Sequence, residues 1–173
     1  IRASQLGMKV AVVEKAELCG ICLNWGCIPT KALLKSAQVF EYLKHAGDYG
    51  ITAGDAKADF GAVVKRSRDV AGGMSKGVAF LMKKNKIDII AGTATVKPGK
   101  KVEVLLADGK KEIVEAKHII IATGARSREL PNLKQDRKKV IGYREAMTLP
   151  VQPKTMVVVG SGAIGVEFAY FYA

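Results

Sequence analysis

Cysteine is scarce in this chain, three in 173 residues, and the three stand together at positions 19, 22 and 27. That excludes a stabilising disulfide framework, which belongs to small secreted domains with many paired cysteines. Catalytic, redox or metal use is what remains for them. Histidine is scarcer still, limited to His45 and His118. Aromatic residues make up only 6% and do not interleave with the basic residues of the turns, such as Lys97, Lys100, Lys110, Lys111 and Lys138. The net charge of +12 therefore predicts a lysine-rich solvated surface, with no nucleic acid as partner. A lipid-facing run is missing as well: the longest apolar stretch, Met156 to Ala173, contains Glu167 and the three glycines 160, 162 and 165. Ile1 to Gln5 shows no basic head and apolar run of a secretory signal. The expectation is a globular, soluble protein without membrane contact, cytoplasmic or, in a eukaryote, of the mitochondrial matrix. With 49% hydrophobic and 25% charged residues, it can bury a core.

Along the chain, Ile1 to Leu6 looks like the last turns of a helix stopped by Gly7, followed by a short strand, Lys9 to Val13, that ends at Glu14. An acidic residue closing a strand is what the second strand of a dinucleotide-binding βαβ unit carries, and the first strand with its glycine turn should lie upstream. Apolar periodicity predicts helices over Ile28–His45, through Ala32, Leu33, Val39, Phe40 and Leu43, and over about Ala62–Lys84, through Val63, Val70, Met74, Val78 and Leu81. Strands are expected at Ile87–Ile90, Val102–Leu106, Glu112–Glu115 and His118–Ala122, with Asp108-Gly109 as a hairpin turn. Pro150 and Pro153 mark a linker before a strand at Met156–Val159, and a helix should open after Gly165. The fold class expected is α/β: a doubly wound FAD/NAD(P)-binding, Rossmann-like fold with a β-meander, truncated at both ends. Residues 1–144 would form the FAD-binding domain without its first strand, and 145–173 the start of the NAD-binding domain.

The strongest chemical signal is the run from Gly20 to Lys31, which contains Cys22 and Cys27. On a regular helix, residues five apart have Cα atoms about 8.6 Å apart, beyond the roughly 7 Å a disulfide can bridge. If the two pair, the backbone between them must leave the helix, and Gly26 and Pro29 supply the means. So short a bridged loop suits a reducible couple better than a staple. Near a helix N-terminus, Cys27 would gain thiolate character, and Lys31, four residues on, would add positive charge on the same face. Two buried apolar side chains or half of a zinc site are the alternatives, although Cys19, His45 and His118 lack the spacing of a second ligand pair.

A second signal is Gly160-Ser161-Gly162-Ala163-Ile164-Gly165, which follows an apolar run and precedes a helix. Gly160 permits a tight turn, Gly162 lets the backbone approach a pyrophosphate, and Gly165 allows close packing. A glycine turn used only for packing is the plainer reading. The third signal, His118 to Arg126, is an apolar run ending in the small-residue turn Thr123-Gly124-Ala125.

In this order, the three segments resemble the pyridine nucleotide-disulfide oxidoreductases over essentially the whole chain. The spelling Cys22-Leu23-Asn24, then Cys27-Ile28-Pro29-Thr30-Lys31, is closer to the dihydrolipoamide dehydrogenases than to glutathione or mercuric reductases. The resemblance implies an enzyme that oxidises dihydrolipoamide and reduces NAD through FAD, with Cys22 as interchange thiol and Cys27 against the flavin. It implies that Glu14 binds the adenosine ribose of FAD, that Lys31 approaches the isoalloxazine and that Ala94 contacts the adenine end. Thr123, Gly124 and Ala125 would touch FAD. Gly160, Gly162, Gly165 and Glu167 would serve NAD, with Glu167 expected to pair with Lys31. The partners implied are the lipoyl group of a 2-oxo acid dehydrogenase complex and a second copy of the chain, whose histidine would act as base. Neither His45 nor His118 falls in a matching motif, so the chain by itself is expected to lack turnover. Three positions depart from the family: Cys19 for glycine, Ile21 for threonine, and Trp25 for a small aliphatic residue. An NADPH-dependent glutathione or mercuric reductase shares every motif, and a flavin-free binding module is the non-enzymatic alternative.

Overall fold

The computed structural model describes residues 1–173 and divides into two compact units, Ile1–Gly20 with Met74–Ala125, and Ile21–Gly73 with Arg126–Ala173. No helix is long and apolar enough to cross a membrane.

The first unit is built on one four-stranded sheet: β1 (Ala11–Glu14), β2 (Asp88–Lys97), β3 (Lys101–Leu106) and β4 (Lys111–Glu115), in that order. The short helix α1 (Arg2–Gln5) precedes it and ends at Gly7, whose φ is +83°. β1 runs parallel to the first half of β2, from Ala11 opposite Asp88 to Glu14 opposite Ala91. The second half of β2 then pairs antiparallel with β3, from Gly92 opposite Leu106 to Lys97 opposite Lys101. One strand thus serves a parallel pair and a meander in succession, and the change of partner falls between Ala91 and Gly92. A Cβ on Gly92 would lie 2.6 Å from the Leu105 carbonyl oxygen and 2.7 Å from Val104 Cγ1, so only glycine lets β3 come in at that point. Val104, fully buried, and Ile87 anchor the core of this unit. Asp108-Gly109 makes the β3–β4 turn as expected, with the Asp108 carboxylate accepting the Lys110 N–H at 3.0 Å.

The second unit is helical. α2 (Gly20–Trp25) and α3 (Cys27–Lys44) meet at Gly26, and a 3₁₀ turn follows over Ala46–Tyr49. α4 (Phe60–Lys84) opens with Asp59 as cap, its carboxylate accepting the Ala62 N–H at 3.0 Å. This helix passes from the second unit into the first after Gly73. The short α5 (Tyr143–Ala146) and α6 (Ala163–Tyr172) complete the unit. Its core gathers Leu33 from α3, Ala146 from α5, the following Met147, and Phe168 from α6, with Trp25, Val63, Ile141, Tyr143, Phe171 and Tyr172 packed around them. Phe60 stacks on Phe171 at 6.1 Å between ring centres.

Burial pushes the Tyr172 hydroxyl, which donates to the Ala146 carbonyl, up to about 12. The unfolded chain releases the same proton near 10, within roughly the usual range of a free phenol. Below that pH both states hold the proton and the contribution is complete. Between there and about 12 the folded state keeps a proton that the unfolded state has lost, so stability falls as pH rises through that window. Tyr172→Phe is expected to remove this alkaline slope, as measured by urea unfolding across the window.

Three expectations need correction. His118–Ala122 and Met156–Val159 form no strand. Ile120 and Val157 are each 89% exposed, because a strand is a property of a hydrogen-bonded pair and no segment of the chain pairs with either run. The strand foreseen at Ile87–Ile90 is instead Asp88–Lys97, so Ala94 lies inside it. Val39 and Leu43 of α3, and Met74 and Leu81 of α4, are exposed; small residues, Ala32 in α3 and Ser67 and Ala71 in α4, are buried, as is Leu33.

Candidate redox site

Cys22 and Cys27 form a disulfide, with Cα atoms 4.7 Å apart. A continuous helix would hold them nearly twice as far apart, so the closure comes from the break between α2 and α3. Gly26 makes that break, with φ −141° and ψ −119°. A Cβ there would sit 3.0 Å from the Ile21 carbonyl oxygen and 3.1 Å from Cys22 Cα, so the backbone beside Cys22 would have to give by a few tenths of an ångström. The Thr30 N–H bonds the Gly26 carbonyl at 3.1 Å and starts the new helix. Pro29 lies in this first turn, where a missing N–H costs nothing. Cys27 is the first residue of the 18-residue α3, so its sulfur belongs to the end of the helix where unpaired N–H groups favour negative charge.

Lys31, one turn along α3, is ion-paired to Glu167 of α6, as the resemblance implied. The lysine side chain is 61% exposed and the glutamate 27%. An open groove beside the pair is lined by Lys31, Leu34, Lys35, Gln38 and Tyr170.

Trp25, the single tryptophan, lies between the cysteines and is held by groups that no sequence signal marked. The Arg68 guanidinium carbon stands 4.2 Å from its ring centre and that of Arg144 5.0 Å. Arg68 also donates to the Asn24 carbonyl and reaches Met147 Sδ at 3.2 Å. An arginine in the run Lys65-Arg66-Ser67-Arg68 looks like any other solvated charge; only the bulky indole between two cysteines hinted that something must cover it. Cys19 stays a free, exposed thiol at φ +77°, a left-handed backbone better suited to glycine. Partial desolvation of the sulfur and the negative charge of Glu14 push its pKa up, which favours the protonated thiol and makes it a poor competitor in thiol exchange.

Glu14 ends β1, and one carboxylate oxygen accepts the Ala16 N–H at 2.9 Å. Ala94 is three residues beyond Ala91, the partner of Glu14, so it projects past the carboxyl end of β1 by about 10 Å of strand. Thr123, Gly124 and Ala125 lie in irregular, exposed backbone, with Gly124 at φ +74°. In the second unit, Gly160 turns the chain at φ +114° and Gly162 caps α6. A Cβ on Gly165 would fall 2.5 Å from the Gly160 carbonyl oxygen, whereas one on Gly162 would meet nothing within 4 Å. Gly165→Ala is therefore expected to cost about 1–3 kcal/mol and loosen the start of α6. A lowered melting temperature with faster hydrogen exchange at residues 163–167 would show it.

The chain is similar, along its whole length, to proteins named dihydrolipoyl dehydrogenase: 49% identical over 173 residues to that of Zymomonas mobilis and 50% to that of Chlorobaculum tepidum. A third, from Rhizobium etli, is 51% identical over 190 residues, covering 99% of this chain and 39% of that protein. The chain spans 37% of the length of the first two relatives. Among solved structures, LpdA from Mycobacterium tuberculosis superposes with a TM-score of 0.88 at 24% identity, over 99% of this chain and 38% of that one. At that identity the likeness establishes the fold alone, an α/β Rossmann-like fold with a β-meander. The family model described as pyridine nucleotide-disulphide oxidoreductase matches residues 1–173, and the chain belongs to that family.

Proposed function

We propose that the protein carrying this chain oxidises dihydrolipoamide to lipoamide and reduces NAD, with Cys22 and Cys27 as its catalytic pair. One observation carries the reading: the disulfide bridges a break between two helices, with its second sulfur on the first residue of α3 and a lysine one turn on. A substrate thiolate attacks Cys22, the S–S bond breaks, and Cys27 leaves as a thiolate favoured by the helix end and by Lys31. The second substrate thiol then displaces Cys22, closing the lipoamide disulfide and leaving two electrons on the chain as a dithiol; the proton released goes to a base. FAD, when bound, supplies the two-electron carrier between that dithiol and NAD.

The residues fit such groups. Glu14 and Ala94 stand at and beyond the carboxyl end of a parallel strand, where open α/β sheets take ligands, and Thr123, Gly124 and Ala125 offer an exposed small-residue turn. Nothing in the chain requires glycine at 162, so room for a pyrophosphate at the start of the ten-residue α6 is the reason we assign it. Glu167 fixes Lys31 and tempers its field. We assign residues 1–144 to the FAD-binding part, with Lys31 toward the isoalloxazine, and 145–173 to the start of the NAD-binding part, with Gly160, Gly162, Gly165 and Glu167. The partners proposed are a lipoyl group of a 2-oxo acid dehydrogenase complex and a second copy of the protein supplying a histidine base.

The full-length protein should be yellow and form NADH with dihydrolipoamide. A colourless protein, or turnover confined to NADPH with glutathione, would overturn the proposal.

A further inference from the structure

We propose that Arg68 is a positioning residue for the Cys22–Cys27 couple, holding the loop between the sulfurs closed whether or not they are bonded. The inference rests on the redox reading of that pair. Two of the contacts of Arg68 fall on the two residues at the centre of the bridged loop: it donates to the Asn24 carbonyl and stands 4.2 Å from the centre of the Trp25 ring. Its third, to Met147 Sδ at 3.2 Å, ties the same guanidinium to the Leu33–Met147 core. The helix that carries it is pinned by its neighbours, because Ser67 is fully buried, with its hydroxyl on the Val64 carbonyl, and Ala71 is 1% exposed. Arg68 thus connects the loop to the core through contacts that involve neither sulfur.

When the disulfide is reduced, its bond breaks, the two electrons stay on the sulfurs, Cys22 taking a proton and Cys27 remaining a thiolate at the start of α3, and the covalent tie across the α2–α3 break disappears. How readily the pair closes again depends on the effective concentration of one sulfur at the other, which a preorganised loop raises. Holding the loop therefore favours the disulfide and makes the reduction potential more negative. A cation acting only through its charge would do the opposite, since positive potential favours the thiolate and hence the reduced form. The sign of the shift separates positioning from field.

The full-length protein is equilibrated with mixtures of reduced and oxidised glutathione, two glutathione thiols giving their electrons to the protein disulfide and becoming glutathione disulfide. The thiols are then alkylated and the Cys22–Cys27 peptide is quantified by mass spectrometry. Arg68→Met is expected to shift the equilibrium about tenfold toward the dithiol, about 30 mV less negative. Arg68→Lys keeps the charge but not the planar fork, and should shift it in the same direction by less. No shift in either variant, or a shift toward the disulfide in Arg68→Met, would overturn the proposal. Should Arg68→Met fail to fold, Arg68→Lys decides it alone. A wild-type pair that never exchanges with glutathione overturns instead the redox reading on which the proposal rests.

Discussion

Replacing Cys27 by serine is expected to lower lipoamide-dependent NADH formation by the full-length protein at least about a thousandfold, equivalent to about 4 kcal/mol in the barrier. A hydroxyl cannot close the bridge with Cys22, so the electrons taken from the substrate dithiol have no place on the chain. Cys22→Ser should be as damaging for a different reason, since it removes the sulfur the substrate attacks while sparing the thiol at the start of α3. Alkylation would separate the two, Cys27 in Cys22→Ser reacting faster at low pH than an ordinary thiol. Cys19→Gly supplies the contrast. That thiol is free, with its pKa raised by partial desolvation and Glu14, and its left-handed backbone suits glycine, so turnover should stay within about twofold of wild type. Equal loss of activity in Cys19→Gly and Cys27→Ser would place the couple elsewhere.

Leu33→Ala should cost the helical unit about 3 kcal/mol, within the range for emptying a fully buried leucine site. Leu33 has no exposed surface and shares a buried cluster with Met147, Ala146 and Phe168, so the void would open among α3, α5 and α6. For a chain of this size the loss corresponds to a fall in melting temperature of roughly 6–12 °C, readable by calorimetry. Val39→Ala on the same helix should cost less than about 0.5 kcal/mol, because Val39 is 45% exposed. A comparable loss at both positions would mean that the burial of α3 is wrongly drawn.

The contrast between Leu33 and Val39 shows where a periodic pattern stops being informative. Both occupy apolar positions of one predicted helix, and the helix is there, Cys27–Lys44 against an expected Ile28–His45. Which apolar face is covered depends on what the rest of the chain brings to it, and that is not written locally. The pairing of Lys31 with Glu167, 136 residues apart, entered through the family resemblance and not through any pattern in the residues. Arg68 and Arg144 were invisible, because an exposed arginine and one stacked on an indole look alike as letters.

What the sequence offered by itself was local and chemical. Gly26 and Pro29 supplied the means for a helix break that a Cys22–Cys27 bridge would need, Gly160 permitted a turn, and Asp108-Gly109 specified a hairpin, each through backbone sterics acting within a few residues. What the tertiary structure decided was partnership. His118–Ala122 and Met156–Val159 have the composition of strands and are not strands, while β2 runs on past Ile90 because β3 arrives at Gly92 to pair with it. A turn is closed by its own residues, but a ladder needs hydrogen bonds from a second segment, and a buried face or a stacked guanidinium needs a neighbour; only the folded chain says which neighbour comes.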